Sequence, residues 1–174
     1  MTDLEFVIPE KINLKKTPQY SEKWVQEKIA NNPEILGLGT LEVWQKEKIQ
    51  PGKGRLDLLL QDESGNTRYE VEIQLGQTDE SHIIRVIEYW DIEKKRNPNF
   101  EHIAVLVAED VTSKFLNVLS LFNGAIPLIV LKMEMIKVKN YISLVFTKVL
   151  DQSISKEPIE PPPPTDREYW EKKR

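Results

Sequence analysis

Two acidic side chains occur on adjacent predicted strands of this sequence, and their types and spacing suit the binding of a metal ion. Asp57 lies inside the otherwise apolar segment 56–60, and Glu72 lies inside the segment 69–74. An acid within an apolar strand is costly unless it is paired or binds a cation. Side chains alternate along strands and a short loop joins these two, so Asp57 and Glu72 can converge near a common point. Two carboxylates with an amide or carbonyl oxygen suit Mg²⁺, a hard cation that keeps several waters.

A structural ion pair is the alternative interpretation of these acids. Asp57 would then bond to Arg55 or Lys53 at the end of its strand. Glu70 shares a strand face with Glu72 because side chains alternate. For Glu70 we expect a salt bridge or a surface position rather than metal ligation.

The pattern Asp57-x14-Glu72-x-Gln74, with an acid in the preceding helix and another helix after it, resembles the PD-(D/E)XK nucleases. This superfamily includes many restriction and DNA-repair endonucleases. The stretch 54–60, Gly-Arg-Leu-Asp-Leu-Leu-Leu, more narrowly resembles the archaeal and actinobacterial mismatch-endonuclease group and its relatives of uncharacterised function. The resemblance covers about residues 20–149. It implies a restriction-endonuclease-like fold, phosphodiester hydrolysis and a Mg²⁺ or Mn²⁺ cofactor.

The resemblance also implies roles for four residues. Asp57 and Glu72 match the two metal-binding acids, and Glu22 matches the acid that the first helix often contributes. Gln74 falls where most members have a lysine that assists the nucleophilic water and the charged transition state. A neutral amide cannot supply that charge, although it can orient a water or coordinate through its oxygen. The proline of the family name is replaced by Leu56.

Four further residues are candidates for contact with nucleic acid: Lys53, Arg55, Arg85 and Tyr89. Lys53 and Arg55 could touch the phosphate backbone. Arg85 and Tyr89 are four residues apart, so they share one face of a helix. They resemble the Gln-x3-Tyr pair that some exonuclease-type members place beside the site, with Arg in place of Gln, and Arg85 could contact a phosphate bidentately. The plainer interpretation of Arg85 and Tyr89 is a pair on the helix surface.

Two functions are consistent with these residues. The first is a Mg²⁺-dependent DNA endonuclease with Gln74 in place of the catalytic lysine. The second is a catalytically degenerate nuclease fold that acts as a nucleic-acid-binding or protein-interaction module of a longer protein. The expected partner is nucleic acid, DNA before RNA. A homodimer would let both strands of a duplex be cut, although nothing in the sequence shows an interface.

Composition excludes several other classes of protein. The chain has 174 residues, a formal net charge of -4 and no cysteine. The absence of cysteine excludes disulfide scaffolds, zinc fingers, iron–sulfur clusters and thiol nucleophiles. The mild acidity argues against a non-specific basic binder, but it allows a nucleic-acid enzyme with a local basic face. No segment approaches the ~18 apolar residues of a membrane span, and the N-terminus lacks a signal core, so we expect a cytoplasmic protein without membrane contact.

The elements that must position these residues follow from hydrophobic periodicity and from turn and cap residues. They predict an α/β fold of order α-β-β-β-α-β-α-β-β, a mixed sheet flanked by helices. We expect the aromatic side chains of Trp24, Trp44 and Trp90 in the core, and a strand or arm within residues 1–20. The predicted helices span 22–31, 80–96 and 112–122, and the predicted strands span 41–49, 55–61, 67–75, 102–108, 127–136 and 141–149.

Composition also divides the chain into two parts. Residues 1–150 are predicted to form the nuclease-like domain, and residues 151–174 a proline-rich linker or tail. Its run Pro161–Pro164 is typical of an extended polyproline spacer. The segment 166–170 is typical of the start of a helix. It would dock on the domain or would form the first turn of a further domain.

Overall fold

Seven strands form one mixed β-sheet, with helices packed on both faces. The structure is a computed structural model, and it describes residues 5–122 and 124–153. In chain order its elements are β1 (Glu10–Ile12), α1 (Glu22–Asn31), a short 3₁₀ helix (Pro33–Leu36), β2 (Leu41–Gln50), β3 (Gly54–Asp62), β4 (Thr67–Gln77), α2 (Glu80–Arg96), β5 (Glu101–Asp110), α3 (Ser113–Ser120), β6 (Leu128–Val138) and β7 (Tyr141–Asp151).

The strand order brings the predicted site to the middle of the sheet. The order is β7-β6-β5-β4-β3-β2, with β1 beside the second half of β6. Strands β4, β5 and β6 run parallel, while β2, β3 and β4 are joined by antiparallel pairing. Helix α2 connects the parallel strands β4 and β5, which need such a crossover. The predicted metal-site strands, β3 and β4, are therefore central rather than peripheral.

Cap and turn residues set the ends of these elements. Helix α1 begins after Ser21, whose Oγ accepts a hydrogen bond from the backbone N–H of Trp24. Helix α2 begins after Asp79, whose carboxylate accepts from the backbone N–H of His82. Such caps satisfy N–H groups that a helix start leaves without a partner. In the loop between β3 and β4, Asp62 Oδ1 accepts from two backbone N–H groups, which fixes the turn.

The core has one layer on each face of the sheet. Alternate residues of β5 separate the two layers: Val105 and Val107 pack on the α1 side, and Ala104 and Leu106 pack on the other. On the first side lie Val25 and Ile29 of α1 with apolar residues of β3, β4 and β6. On the second side lie apolar residues of α2 and α3. This arrangement holds α1 and α2 against opposite faces of the strands that carry the acids.

The predicted α/β order is confirmed, and the strand or arm expected within residues 1–20 is the short strand β1. Several element ends differ from the prediction. Strand β4 runs to Gln77 because its pairing with β5 resumes there, and α3 ends earlier than predicted, at Ser120. The expectation that Trp44 is a core residue is wrong, since it is 57% exposed on β2 and its ring lies 4.0 Å from the guanidinium carbon of Arg68. Strand β2 is an edge strand, and most of its residues are exposed or half-buried.

No helix in the described ranges is both long and apolar enough to cross a membrane. The predicted proline-rich spacer and the segment 166–170 lie outside the residues that the structure describes.

Candidate functional site

The candidate site lies where β3 and β4 separate. Their antiparallel ladder runs as far as Leu58 opposite Val71 and ends there. Beyond that point β3 continues along β2, and β4 continues along β5. Asp57 and Glu72 are the first residues past the end of the ladder, one on each strand. The fork therefore brings together the two acids that the sequence singled out.

Asp57 takes over a hydrogen bond that the ladder no longer provides. Its Oδ2 accepts from the backbone N–H of Ile73 at 2.8 Å, which ties β3 to β4 just beyond the fork. Its backbone carbonyl accepts from Nε2 of Gln26 on α1 at 2.9 Å. The side chain and the main chain of Asp57 are thus both fixed.

The alternative in which Asp57 pairs with Arg55 or Lys53 is wrong. Arg55 Nη1 lies 3.3 Å from Glu47 Oε2, and Lys53 Nζ lies 2.8 Å from Glu88 Oε1. Both cations are therefore directed at other carboxylates, and Asp57 keeps an oxygen that no cation neutralises in the described residues.

Glu72 is almost completely buried, and only one of its two carboxylate oxygens has a hydrogen-bond partner among the described residues. Its Oε1 accepts from Nη1 of Arg85 on α2 at 2.7 Å. Its Oε2 is buried and has no hydrogen-bond partner among the described residues. An orphaned carboxylate oxygen in such a place is unfavourable unless something else binds it. This is the strongest local sign that an ion fits here.

Glu22 reaches the same stretch of β4 from the start of α1. Its Oε1 accepts from the backbone N–H of Leu75 at 3.1 Å. Its negative charge also acts on both Asp57 and Glu72. Glu22 therefore lies within electrostatic reach of the two acids at the fork.

Asp57, which is half-buried, and Glu72, which is buried, both resist ionisation. Burial raises the pKa of Asp57 to about 6. The hydrogen bond from the N–H of Ile73 lowers this pKa, and the charge of Glu22 adds to the rise. Burial and then the charge of Asp57 raise the pKa of Glu72 to about 8, although Arg85 opposes this. Desolvation and like charge are the usual causes of such shifts. A nearby divalent cation would remove both penalties.

The donor set fits a hard cation but fills only part of its coordination shell. In the described part of the chain, no group of three His, Asp or Glu side chains is close enough to enclose a metal ion. Asp57 and Glu72 would supply two carboxylates, and water or backbone oxygens would supply the rest. This is the pattern expected for Mg²⁺, which keeps several waters.

Gln74 does not present its amide to the acids. Its Nε2 donates to the carbonyl oxygen of Gln77 at 2.7 Å and to Oδ2 of Asp79 at 3.1 Å, and the side chain is buried. The amide therefore holds the end of β4 to the residue that caps α2. Sequence reasoning found the position but could not foresee these partners.

A cleft of about 310 Å³ opens beside Asp57, and all four predicted nucleic-acid residues line it. Lys53 and Arg55 lie on its β3 side, and Arg85 and Tyr89 lie on its α2 side. Tyr89 is 1% exposed, and its hydroxyl donates to the carbonyl oxygen of Lys53 at 3.0 Å. The interpretation of Tyr89 as a helix-surface residue is therefore wrong.

Gly54 makes room for this contact between α2 and β3. Its φ is +109°, and a Cβ there would lie 2.8 Å from the hydroxyl oxygen of Tyr89. Only glycine allows both that backbone conformation and that approach.

Glu47 is a residue that sequence reasoning missed. It lies in this cleft and in a second one of about 360 Å³ on the α1 side of Asp57. Its φ is +47°, an uncommon conformation for a residue other than glycine and one that is often found near functional sites. The alternation around Lys46 and Lys48 resembles an ordinary solvated strand, so no sequence signal marked it.

A larger cleft lies elsewhere. It measures about 540 Å³ and lies between β1 and the ends of β4 and β5. In this cleft, the carboxylate of Glu109 already accepts hydrogen bonds from the backbone N–H groups of Leu14, Lys15 and Gly76. The carboxylate in this larger cleft is thus satisfied by the fold, whereas at the fork Glu72 Oε2 lacks a partner among the described residues.

Comparison with solved structures finds similar folds. A complex of EndoMS with double-stranded DNA gives a TM-score of 0.53 at 23% identity, over 64% of this chain and 44% of that chain. A repair endonuclease from Pyrococcus abyssi gives a TM-score of 0.50 at 23% identity, over 57% of this chain and 42% of that chain. No protein-family model matches the sequence, and no curated protein matches it.

These likenesses establish the fold. The chain has the predicted restriction-endonuclease-like architecture, a curled mixed sheet flanked by three helices. It spans less than half the length of each of the two solved proteins.

Proposed function

We propose that this chain hydrolyses phosphodiester bonds of nucleic acid with a divalent metal, as a DNA endonuclease of the PD-(D/E)XK type. The observation that carries the proposal is the fork, where Asp57 and Glu72 meet and Glu72 Oε2 has no partner among the described residues. The similarity in fold to DNA repair endonucleases, one of them bound to double-stranded DNA, supports DNA as the substrate.

Each residue of the site has a part in this proposal. Asp57 and Glu72 hold Mg²⁺ or Mn²⁺, and Glu22 adds negative charge beside them. When bound, the cation supplies a Lewis acid for the phosphate and a more acidic water. Lys53 and Arg55 lie at the mouth of the same cleft and bind the flanking phosphates.

Cleavage assays test the proposal directly. Wild type is incubated with single-stranded, duplex and branched DNA, with Mg²⁺ or Mn²⁺, beside the variants Asp57→Asn and Glu72→Gln. Losing one metal ligand should lower the rate at least about a hundredfold, because the ion stabilises charge in the transition state. Asp91→Asn is the matched control, since Asp91 is a half-exposed acid on α2 that pairs with Lys95. If neither wild type nor Asp57→Asn cleaved any substrate, the proposal that this chain is a nuclease would be refuted.

A degenerate nuclease fold that only binds is the second candidate, and Gln74 favours it. The amide that replaces the family lysine is held by Gln77 and Asp79, so it is not directed at the acids. Calorimetric titration with Mn²⁺ separates the two candidates. Heat that Glu72→Ala abolishes supports a working site. No heat at millimolar metal, with DNA binding retained, supports the binding module.

We also propose a cytoplasmic location and a homodimer that places two sites on one duplex. The chain spans less than half of the proteins that it matches in fold, so its role as a module of a longer protein belongs with these proposals. Sedimentation with and without duplex DNA tests the dimer. A monomer at all concentrations, bound singly to DNA, would contradict it.

A further inference from the structure

Arg85 is the cation that touches the site acids. Among the described residues, no other Lys or Arg side chain forms an ion pair with Asp57, Glu72 or Glu22. Its Nη1 lies 2.7 Å from Glu72 Oε1. The positively charged side chain in contact with these acids therefore comes from α2, whereas the position on β4 where the resembled nucleases carry a lysine holds the neutral Gln74.

The guanidinium of Arg85 connects a buried acid with an open cleft. The side chain of Glu72 is 1% exposed, whereas that of Arg85 is 42% exposed and lines the cleft beside Asp57. A guanidinium has five N–H donors, and only Nη1 donates to a described residue. The remaining donors are therefore available to a ligand in the cleft.

One turn further along α2, Tyr89 anchors the helix to the chain that leads into β3. The hydroxyl of Tyr89 donates to the carbonyl oxygen of Lys53, the residue before β3. The Arg85 side chain can therefore change its partner without any movement of α2, because the anchor is a separate residue.

We propose that Arg85 neutralises Glu72 until a divalent cation takes its place there, and that the freed guanidinium then binds a phosphate of the nucleic acid. The proposal rests on the metal site of the proposed function and adds a residue that couples metal binding to nucleic-acid binding.

Competition between two cations for one carboxylate is the physical basis. Arg85 contacts only Oε1 of Glu72, so a metal that binds Oε2 would place a second cation on the same buried carboxylate. A divalent cation adds at least one positive charge to the site even when Glu72 releases a proton. Arg85 therefore opposes metal binding and is itself repelled by the bound metal. Its planar fork of donors then matches a phosphate, which it can bind bidentately.

The substitution Arg85→Gln separates this role from simpler ones. Calorimetry with Mn²⁺, at mildly alkaline pH and without nucleic acid, should give an affinity about tenfold higher than that of wild type, because one charge-assisted contact no longer competes. Affinity for a short DNA duplex, measured without metal and with Ca²⁺, should rise on addition of Ca²⁺ in wild type. That rise should be about tenfold smaller in Arg85→Gln.

Two further variants control for charge and shape. Lys95→Gln removes an equal charge from the same helix, where Lys95 is exposed and paired with Asp91, and it should leave both affinities unchanged. Arg85→Lys keeps the positive charge and loses the planar set of guanidinium donors, so its Mn²⁺ affinity should stay near that of wild type. Its gain in DNA affinity with Ca²⁺ should be intermediate.

The outcomes distinguish the possible failures. Unchanged or weaker Mn²⁺ binding in Arg85→Gln would overturn the exchange of partners, whatever happens to DNA binding. Tighter Mn²⁺ binding with an unchanged Ca²⁺-dependent gain in DNA affinity would overturn the phosphate contact. Absence of Mn²⁺ binding in folded wild type would remove the proposed function itself, and the exchange with it.

Discussion

Gln74, at the position where the resembled nucleases carry a lysine, serves the fold through its hydrogen bonds. Its Nε2 bonds with Gln77 and Asp79 close the loop between β4 and α2. Asp79 in turn caps α2, the helix that carries Arg85. At the residue scale, the amide acts on the site indirectly, by holding the helix that supplies the charge.

The variant Gln74→Ala tests this interpretation. Loss of the buried hydrogen bonds should lower the free energy of unfolding by about 1–2 kcal/mol. Mn²⁺ affinity should stay within a few-fold of wild type, because Asp57 and Glu72 are untouched. Urea unfolding and calorimetry measure the two quantities. Unchanged stability together with lost metal binding would instead make Gln74 a ligand.

At the element scale, a buried Glu–His hydrogen-bonded pair joins β4 to β5 on the α2 side of the sheet. Glu70 Oε1 and His102 Nδ1 are 2.7 Å apart, and His102 Nε2 lies 3.0 Å from the carbonyl oxygen of Asn97. Burial raises the pKa of Glu70 to about 7, although His102 opposes the rise. Burial lowers the pKa of His102, but Glu70 and the Asn97 carbonyl outweigh it and hold the value above that of free histidine.

This pair should make stability depend on pH. Both groups have raised pKa values in the folded state, so the folded protein binds more protons than the unfolded chain. The contribution of Glu70 is fully present below the unfolded pKa of glutamate, about 4.3, and is lost as the pH rises through about 7. The contribution of His102 is present below the unfolded pKa of histidine, about 6.5, and is lost as the pH rises through its raised folded value. The free energy of unfolding should fall from about pH 6 to pH 9 by about 1 kcal/mol more in wild type than in the double variant Glu70→Gln, His102→Gln. Chemical denaturation at several pH values measures this, and parallel pH profiles would contradict it.

Elements with strong local signals could be predicted from the sequence. Ile83, Val86 and Trp90 recur at helical spacing in α2, and the apolar run of β5 indicates a strand buried on both faces. The exposure of Trp44 could not be predicted, because it depends on β2 being an edge strand. That property follows from the order of strands and is not local.

The candidate site divides in the same way. The convergence of Asp57 and Glu72 could be predicted, because a short loop sets the register of the strands that carry them. The contact of Arg85 with Glu72 depends on how α2 docks on the sheet. The positive φ of Glu47 is a local distortion of β2 that no residue type signalled. Packing and strain therefore set the parts that sequence patterns missed.

At the scale of the whole molecule, charge is distributed unevenly. The chain has a net charge of -4, yet Lys53, Arg55 and Arg85 all line the one cleft beside Asp57. Each of these cations is paired with a carboxylate, of Glu88, Glu47 and Glu72 respectively. A phosphate that enters the cleft would therefore find local cations despite the acidic total, but it would compete with these carboxylates for them.

The fork also divides the sheet into two parts that a metal would join. Beyond the fork, Asp57 lies on β3, which pairs with β2, and Glu72 lies on β4, which pairs with β5. An ion held by both carboxylates would close the fork and offset the cost of removing the two acids from water. The folded state alone provides this geometry, so metal should stabilise the folded state by mass action.

Thermal unfolding with Mn²⁺ measures that stabilisation. At about one hundred times the dissociation constant the gain is about 2.7 kcal/mol, which for a domain of this size raises the unfolding midpoint by about 5–10 °C. Glu72→Gln should abolish the shift, and Asp91→Asn should preserve it, because Asp91 pairs with Lys95 away from the fork. An equal shift in wild type and Glu72→Gln would place the ion elsewhere on the molecule and would separate metal binding from the fork.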